Sequence, residues 1–220
     1  FIPPYRLPIP AARITNIGFV MFDVSFHILY YNNTIAIITS AKHKRSKMTD
    51  LKKFILASRS PRRKELLEKC GIIFECIPAD IDETLDPSVS LREAVENLSF
   101  RKASAILCQH PDAVVIGSDT IVTLDGEVLG KPSDRNDACR MLEMLSGRKH
   151  EVITGFCMIS SKRSFCTSSV AEVTFAQMSQ QEIADYAASG ECDDKAGAYA
   201  IQGIGGRFIT HIDGDYYSIM

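Results

Sequence analysis

From residue 50 onward, capped helical segments alternate with short apolar runs, and one hairpin signal breaks that alternation. Alternating strands and helices favour a parallel sheet. The Asp125-Gly126 turn in TIVTLDGEVLGKP instead demands antiparallel neighbours. Only a mixed sheet with helices around it satisfies both, so the expected fold class is α/β. KFILA and FECIP read as short strands, separated by a helix from Ser60 to about Cys70. A long helix follows in SLREAVENLSFRKASAILCQH, opened by Ser90 and Glu93 as a capping box. AVVIGSD reads as a buried strand and SDRNDACRMLEMLSG as a helix closed by Gly147. EVITGFCMIS and SSVAEVTFAQM read as strands, and SQQEIADYAASG as a helix with a second capping box, Ser179 and Glu182. The remainder is glycine-rich and then β-like.

The 220 residues are 45% apolar, enough for a substantial core, and a net charge of −2 argues against a broad nucleic-acid surface. Any polyanion contact is expected to be local. Seven cysteines, an odd number without a Cys-x-x-Cys pair, read as reduced intracellular thiols. The five histidines are scattered, with no zinc-ligand spacing.

Residues 1–47 differ from the rest. A proline-rich start leads into an apolar stretch broken by Asp23, His27, Asn32 and Asn33, a poor spanning segment without a signal-peptide pattern. The expectation is that Met48, after the basic run KHKRSK, is the natural start. Residues 1–47 are then an N-terminal extension outside the fold, with a membrane anchor as the sharper alternative. Residues 48–220 are then the folded domain.

The helix at Ser60 carries an electrostatic anomaly. Pro61 suits its first position, but Arg62 and Arg63 then fall among unpaired N–H groups, where acidic residues are normally favoured. An anion seated there removes the conflict, so LASRSPRRKELL points to a phosphate site. On the long helix, Leu91, Val95, Leu98, Ala105 and Ile106 share a face with Lys102 in its middle. Lysine is rarely buried without a partner, so Lys102 either reaches an anion in a cleft or snorkels at the core's rim. Phe100 points the other way and suggests cover on both sides. A two-residue turn at Asp125-Gly126 sets Thr120 opposite Lys131 and brings Asp119 to the same end. A carboxylate and an ammonium then meet where α/β sheets place ligands, although a hairpin salt bridge has the same pattern. Cationic Arg62, Arg63, Lys102 and Lys131 with Asp119 form a phosphate-handling set. A Walker loop is absent, and glycines around 197–206 allow close backbone approach to a base or sugar, or simply a turn.

SRSPRRKELL, the lysine in FRKA, GSDTIV, LGKP, LSGRKHEVITG and DKAGAYAIQG, in that order, resemble the Maf family of nucleoside triphosphate pyrophosphatases from about Phe54 to the end. The resemblance implies an elongated α/β fold related to inosine triphosphatases, with a cleft between two lobes. It implies hydrolysis of a nucleoside triphosphate to the monophosphate and pyrophosphate with a divalent cation, Mg²⁺ or Mn²⁺. By motif, Asp119 is the general base or metal-linked carboxylate. Arg62 and Lys131 hold phosphates, with Arg63 and Lys102 beside them, and Ser58 and Glu83 fall near the site, Glu83 as a further metal ligand. Thr120 and Gln202 match the branch acting on dTTP and UTP. A glutamine amide also offers the donor and acceptor that a thymine or uracil edge requires.

Two departures stand out: nothing in the family corresponds to the residues before Met48, and YYSIM comes where a Gly-Leu-Pro and a closing helix are usual. Without that helix, apolar surface is expected to be exposed. The expected location is cytoplasmic, with a nucleoside triphosphate as ligand, no nucleic-acid or membrane partner, and a homodimer as default assembly. The competing reading is a non-catalytic nucleotide-binding regulator, matching the family's association with arrest of cell division and septum formation.

Overall fold

The computed structural model describes residues 53–220 in full and, before them, the backbone of 17–22, 26–31 and 34–39. The chain divides into two units, 1–43 and 44–220. The first holds three antiparallel strands, β1 (Ile17–Phe22), β2 (Phe26–Tyr31) and β3 (Thr34–Thr39), in the order β1-β2-β3. Met48 and the basic run before it lie outside the described residues.

The second unit runs β4 (Phe54–Leu56), α1 (Pro61–Lys69), β5 (Phe74–Cys76), α2 (Leu91–Leu107), β6 (Val114–Leu124), β7 (Glu127–Leu129) and α3 (Arg135–Leu145). It continues with β8 (Lys149–Ile159), β9 (Ser164–Phe175), α4 (Gln180–Ala188), β10 (Ile209–Asp213) and α5 (Tyr216–Ile219). Seven strands form one open sheet, ordered β10-β9-β8-β6-β4-β5, with β7 also on β6. The mixed sheet read from the sequence is present: β4 pairs parallel with β5 and β6, while the remaining pairs are antiparallel.

AVVIGSD and TIVTL, read separately above, form one strand, β6. One edge of β6 pairs with β8 from Val115 to Thr123. Its other edge is shared, with β4 on Val114–Ile116 and β7 on Val122–Leu124. Between these two short partners, residues 117–121 have no strand on that edge. A strand has only two hydrogen-bonding edges, so this gap opens the sheet in its middle. Asp119 and Thr120 lie in the gap.

Helix α2 covers the face of the sheet bearing Val115, Gly117, Asp119 and Ile121. It buries Ala94, Val95, Leu98, Ser99, Lys102, Ala103 and Ile106. Phe100 is 43% exposed, so the helix is covered on one side, not two. The helix comes unusually close because two glycines lie beneath it. A Cβ on Gly117 would overlap the Ser99 carbonyl, and one on Gly155 would stand 2.5 Å from the Val95 carbonyl. The opposite face carries the larger core, where Val122, Leu124, Val152, Val173 and Phe175 meet Leu142 and Leu145 of α3 and Ile183 and Tyr186 of α4.

The reading of the cysteines as uniformly reduced is corrected at one pair. Cys157 of β8 and Cys166 of β9 are register partners and form a disulfide. Sequence separation gave no sign of this, because cross-strand opposition depends on the register and the Ser160–Arg163 turn.

Two outcomes are expected. Gly117→Ala pushes α2 off the sheet and lowers stability by about 1–3 kcal/mol in denaturant titration, with loss of activity in parallel. His150 is buried between Phe175 and Tyr199, bonded through Nε2 to the Tyr199 hydroxyl at 2.9 Å, with Nδ1 unpartnered. Burial depresses its pKa from 6.5 to about 4. Between those values the unfolded chain binds the extra proton, so stability is lost as pH falls from 6.5 towards 4, by about 3 kcal/mol in full. His150→Phe flattens that slope in unfolding measurements across the range.

Candidate active site

The site begins at the turn from β4 into α1. Ser58 accepts from the Ser60 N–H at 3.1 Å, and Ser60 in turn caps the helix at the Arg63 N–H. No acidic residue occupies the first turn of α1. The two arginines therefore face the positive end of the helix, as the sequence indicated, but they do different things.

Arg63 is built into the frame. Its Nη1 donates to Ser58 Oγ at 3.2 Å and its Nη2 to Thr120 Oγ1 at 3.2 Å. Burial pushes its pKa below the ordinary arginine value, against the opposing pull of Asp119. Thr120 lies 2.8 Å from the Thr154 hydroxyl, and Thr154 donates to the Ser218 carbonyl at 2.6 Å. A hydroxyl has one proton, so Thr154 has none left and Thr120 must be the donor between them. The chain of bonds thus runs Arg63 to Thr120 to Thr154 to Ser218. Thr120 therefore offers a ligand only an acceptor lone pair.

Arg62, by contrast, has a buried Nε without a partner. Its charge also helps hold the Asp194 carboxyl below the usual range, behind the larger effect of the Lys195 ammonium bonded to it.

On the other wall, Lys102 Nζ donates to Asp119 Oδ1 at 2.6 Å and pairs with Glu83 Oε1 at 3.0 Å. The Lys102 side chain is 8% exposed and that of Asp119 15%. Glu83 comes from the acidic loop before α2, which Arg101 fastens down. The Arg101 guanidinium donates to the carbonyls of Asp82 and Thr84 at 3.0 and 2.7 Å, leaving Glu83 between them turned towards Lys102.

The hairpin reading is right in register and wrong in its ion pair. Leu124 opposes Glu127 and Val122 opposes Leu129, but the ladder ends there. The Gly130 carbonyl accepts from the Gly197 N–H at 3.0 Å, and Lys131 is exposed. Asp119 pairs with Lys102 across the helix–sheet interface, not with Lys131 along the hairpin.

Ser58, Arg62, Arg63, Glu83, Lys102, Asp119, Thr120, Lys131 and Gln202 nevertheless all line one cavity of about 720 Å³. That volume suits a ligand of nucleotide size. Sequence reasoning missed Arg101, Thr154, Asp194, Lys195 and Tyr199. All five stood within quoted motifs, FRKA, LSGRKHEVITG and DKAGAYAIQG, but only the tertiary structure reveals what they touch. Among the described residues, no three His, Cys, Asp or Glu side chains are grouped as a metal site. Asp119 and Glu83 do supply two hard carboxylates converging on Lys102, the donor number a substrate-bound Mg²⁺ requires when phosphate oxygens complete its shell.

A cationic cavity with an inward carboxylate, set in the gap of a mixed sheet, defines a protein equipped to engage a polyphosphate. Residues 53–220 match the family described as Maf-like protein, and the chain belongs to that family. It is 46% identical over 178 residues to a dTTP/UTP pyrophosphatase of Bacillus cereus, covering 81% of this chain and 88% of that one. A dTTP/UTP pyrophosphatase of Bacillus cytotoxicus is 46% identical over 170 residues, covering 77% and 89%. The Staphylococcus aureus Ham1 structure aligns at 16% identity and a TM-score of 0.44, over 72% of this chain and 80% of that one. Among the described residues, no helix is long and apolar enough to cross a membrane.

The two arginines separate experimentally. Arg62→Ala is expected to raise KM for a triphosphate by at least about tenfold with the fold intact. Arg63→Ala strips donors from Ser58 and Thr120, and is expected to lower stability by about 1–3 kcal/mol in thermal unfolding.

Proposed function

We propose that this protein hydrolyses dTTP and UTP, and modified pyrimidine analogues, to the monophosphate and pyrophosphate. The observation that carries the proposal is the Lys102–Asp119 contact at 2.6 Å, facing a cavity whose other walls hold Arg62, Lys131 and Gln202. The names of the 46% identical relatives support the substrate class.

Arg62 and Lys131 take the triphosphate, whose negative charge relieves the placement of Arg62 beside the helix N-terminus. Lys102 turns from Asp119 and Glu83 towards the phosphate oxygens, which frees the Asp119 carboxylate to accept a proton from the attacking water. Attack at the α-phosphorus forms the P–O bond of the monophosphate, and the bond to the β-phosphate oxygen breaks to release pyrophosphate. Asp119 and Glu83 are the residues to hold a divalent cation, Mg²⁺ or Mn²⁺. When bound, that cation supplies further charge neutralisation at the phosphates. The Gln202 amide offers a donor for O4 and an acceptor for N3–H of uracil or thymine, with Thr120 bordering the same cavity. A purely regulatory nucleotide binder has no use for Asp119 as a base, and without a cation between them a carboxylate facing a polyanion weakens binding.

The test is a side-by-side hydrolysis assay on dTTP, UTP, ATP and GTP, with and without Mg²⁺ or Mn²⁺. Pyrimidine triphosphates releasing pyrophosphate fastest is the expected result, and equal rates across the four defeat the assignment. Asp119→Asn is expected to lower kcat by about 100- to 10,000-fold while circular dichroism remains unchanged.

A further inference from the structure

Gln202 sits on a tight turn that is held from behind at both ends. The Gly203 N–H donates to the Ala200 carbonyl at 3.3 Å, so Ile201 and Gln202 are its central residues. Ile201 is buried, while Gln202 is exposed and borders the cavity. Upstream, the Ala200 N–H donates to the Tyr186 hydroxyl at 3.1 Å. Downstream, the Ile204 and Gly205 N–H groups donate to Glu191 Oε1 and Oε2, each at 2.9 Å. The Tyr186 hydroxyl itself donates to Glu191 Oε2 at 2.8 Å, which ties the two flanks together.

Both residues come from one place, the end of α4 and the turn at Gly190 that follows it. The fit is close. A Cβ on Gly203 would overlap the Glu191 carboxylate, and one on Gly205 would overlap the Tyr186 hydroxyl. Burial pushes the Glu191 carboxyl up, but its two backbone donors and the tyrosine outweigh this and hold it below the usual range. A carboxylate is the group the geometry requires, since all three neighbours donate and none accepts. Neither Glu191 nor Tyr186 lines the cavity, so any effect on substrate must pass through the turn they hold.

We infer that Glu191 and Tyr186 are positioning residues for base selection: they fix the turn that presents the Gln202 amide, and so set the preference for uracil and thymine over cytosine. The inference rests on the pyrimidine triphosphatase reading above. Discrimination by hydrogen bonding depends on placement, because a misaligned amide neither rewards the right base nor penalises the wrong one.

Glu191→Gln replaces one acceptor oxygen by a donor at nearly constant size. Tyr186→Phe keeps the ring against Phe208, whose centroid is 5.5 Å away, and removes only the hydroxyl. The experiment measures kcat and KM for UTP and CTP in the wild type, both variants, Gln202→Ala and the double variant Glu191→Gln/Gln202→Ala. The ratio of kcat/KM for UTP over CTP is expected to fall about tenfold or more in each single variant, mainly through KM for UTP. The double variant is expected to fall no further than Gln202→Ala alone. A ratio preserved in Glu191→Gln and Tyr186→Phe, with rates on both nucleotides dropping together, overturns the inference while leaving the functional reading in place. Loss of fold in both variants also overturns it, by assigning the pair to the core. A wild type that turns over UTP and CTP equally, or a Gln202→Ala that keeps the wild-type ratio, overturns the inference alone, whereas a wild type that hydrolyses neither pyrimidine triphosphate overturns the functional reading and this inference with it.

Discussion

The seating of α2 on the sheet is what the site depends on. Two glycines, Gly117 and Gly155, let the helix backbone approach so closely that Lys102 can span from the helix to Asp119 on β6. With side chains at those positions the helix would ride higher, and the ammonium would no longer reach the carboxylate. The pair is nearly withdrawn from water, where an ion pair is stronger but costs more desolvation than at the surface. Glu83 and the open side of the cavity keep it from being sealed in. The arrangement leaves Lys102 between two carboxylates with one side open to the cavity.

The gap in the edge of β6 does the complementary work. Two short strands, β4 and β7, occupy the ends of one edge and leave residues 117–121 uncovered between them. In an open α/β sheet a ligand crevice usually forms where parallel strands end. Here β6 runs on past the end of β4 as an antiparallel strand, so the crevice falls beside its middle. Asp119 and Thr120 are adjacent in sequence and point to opposite faces. One meets α2 and the acidic loop, the other meets α1 and the hydroxyl chain, and both border the same cavity.

Much of this was legible in the residues. Caps at Ser60, Ser90 and Ser179 marked helix starts because each side chain satisfies a backbone N–H locally. The Asp125-Gly126 turn fixed the hairpin register because both residues take positive φ, 52° and 85°. The misplaced cation at Arg62 and the buried Lys102 pointed to the cavity because charge in those positions needs a partner. What stayed hidden depends on long-range register. Lys102, rather than Lys131, partners Asp119 because a helix crosses the sheet there, and no local spacing encodes that crossing. Cys157 and Cys166 face each other for the same reason. Arg62 and Arg63 are indistinguishable as a dipeptide and separate only when Ser58 and Thr120 claim one of them.

The hydroxyl chain from Arg63 through Thr120 and Thr154 ends on the carbonyl of Ser218, in α5, and Ile219 and Met220 border the cavity. Residues 216–220 are therefore linked through two hydroxyls to Arg63 in the frame of the cavity. Anything that shifts that short helix shifts the hydroxyl chain with it, and so reaches the wall of the cavity.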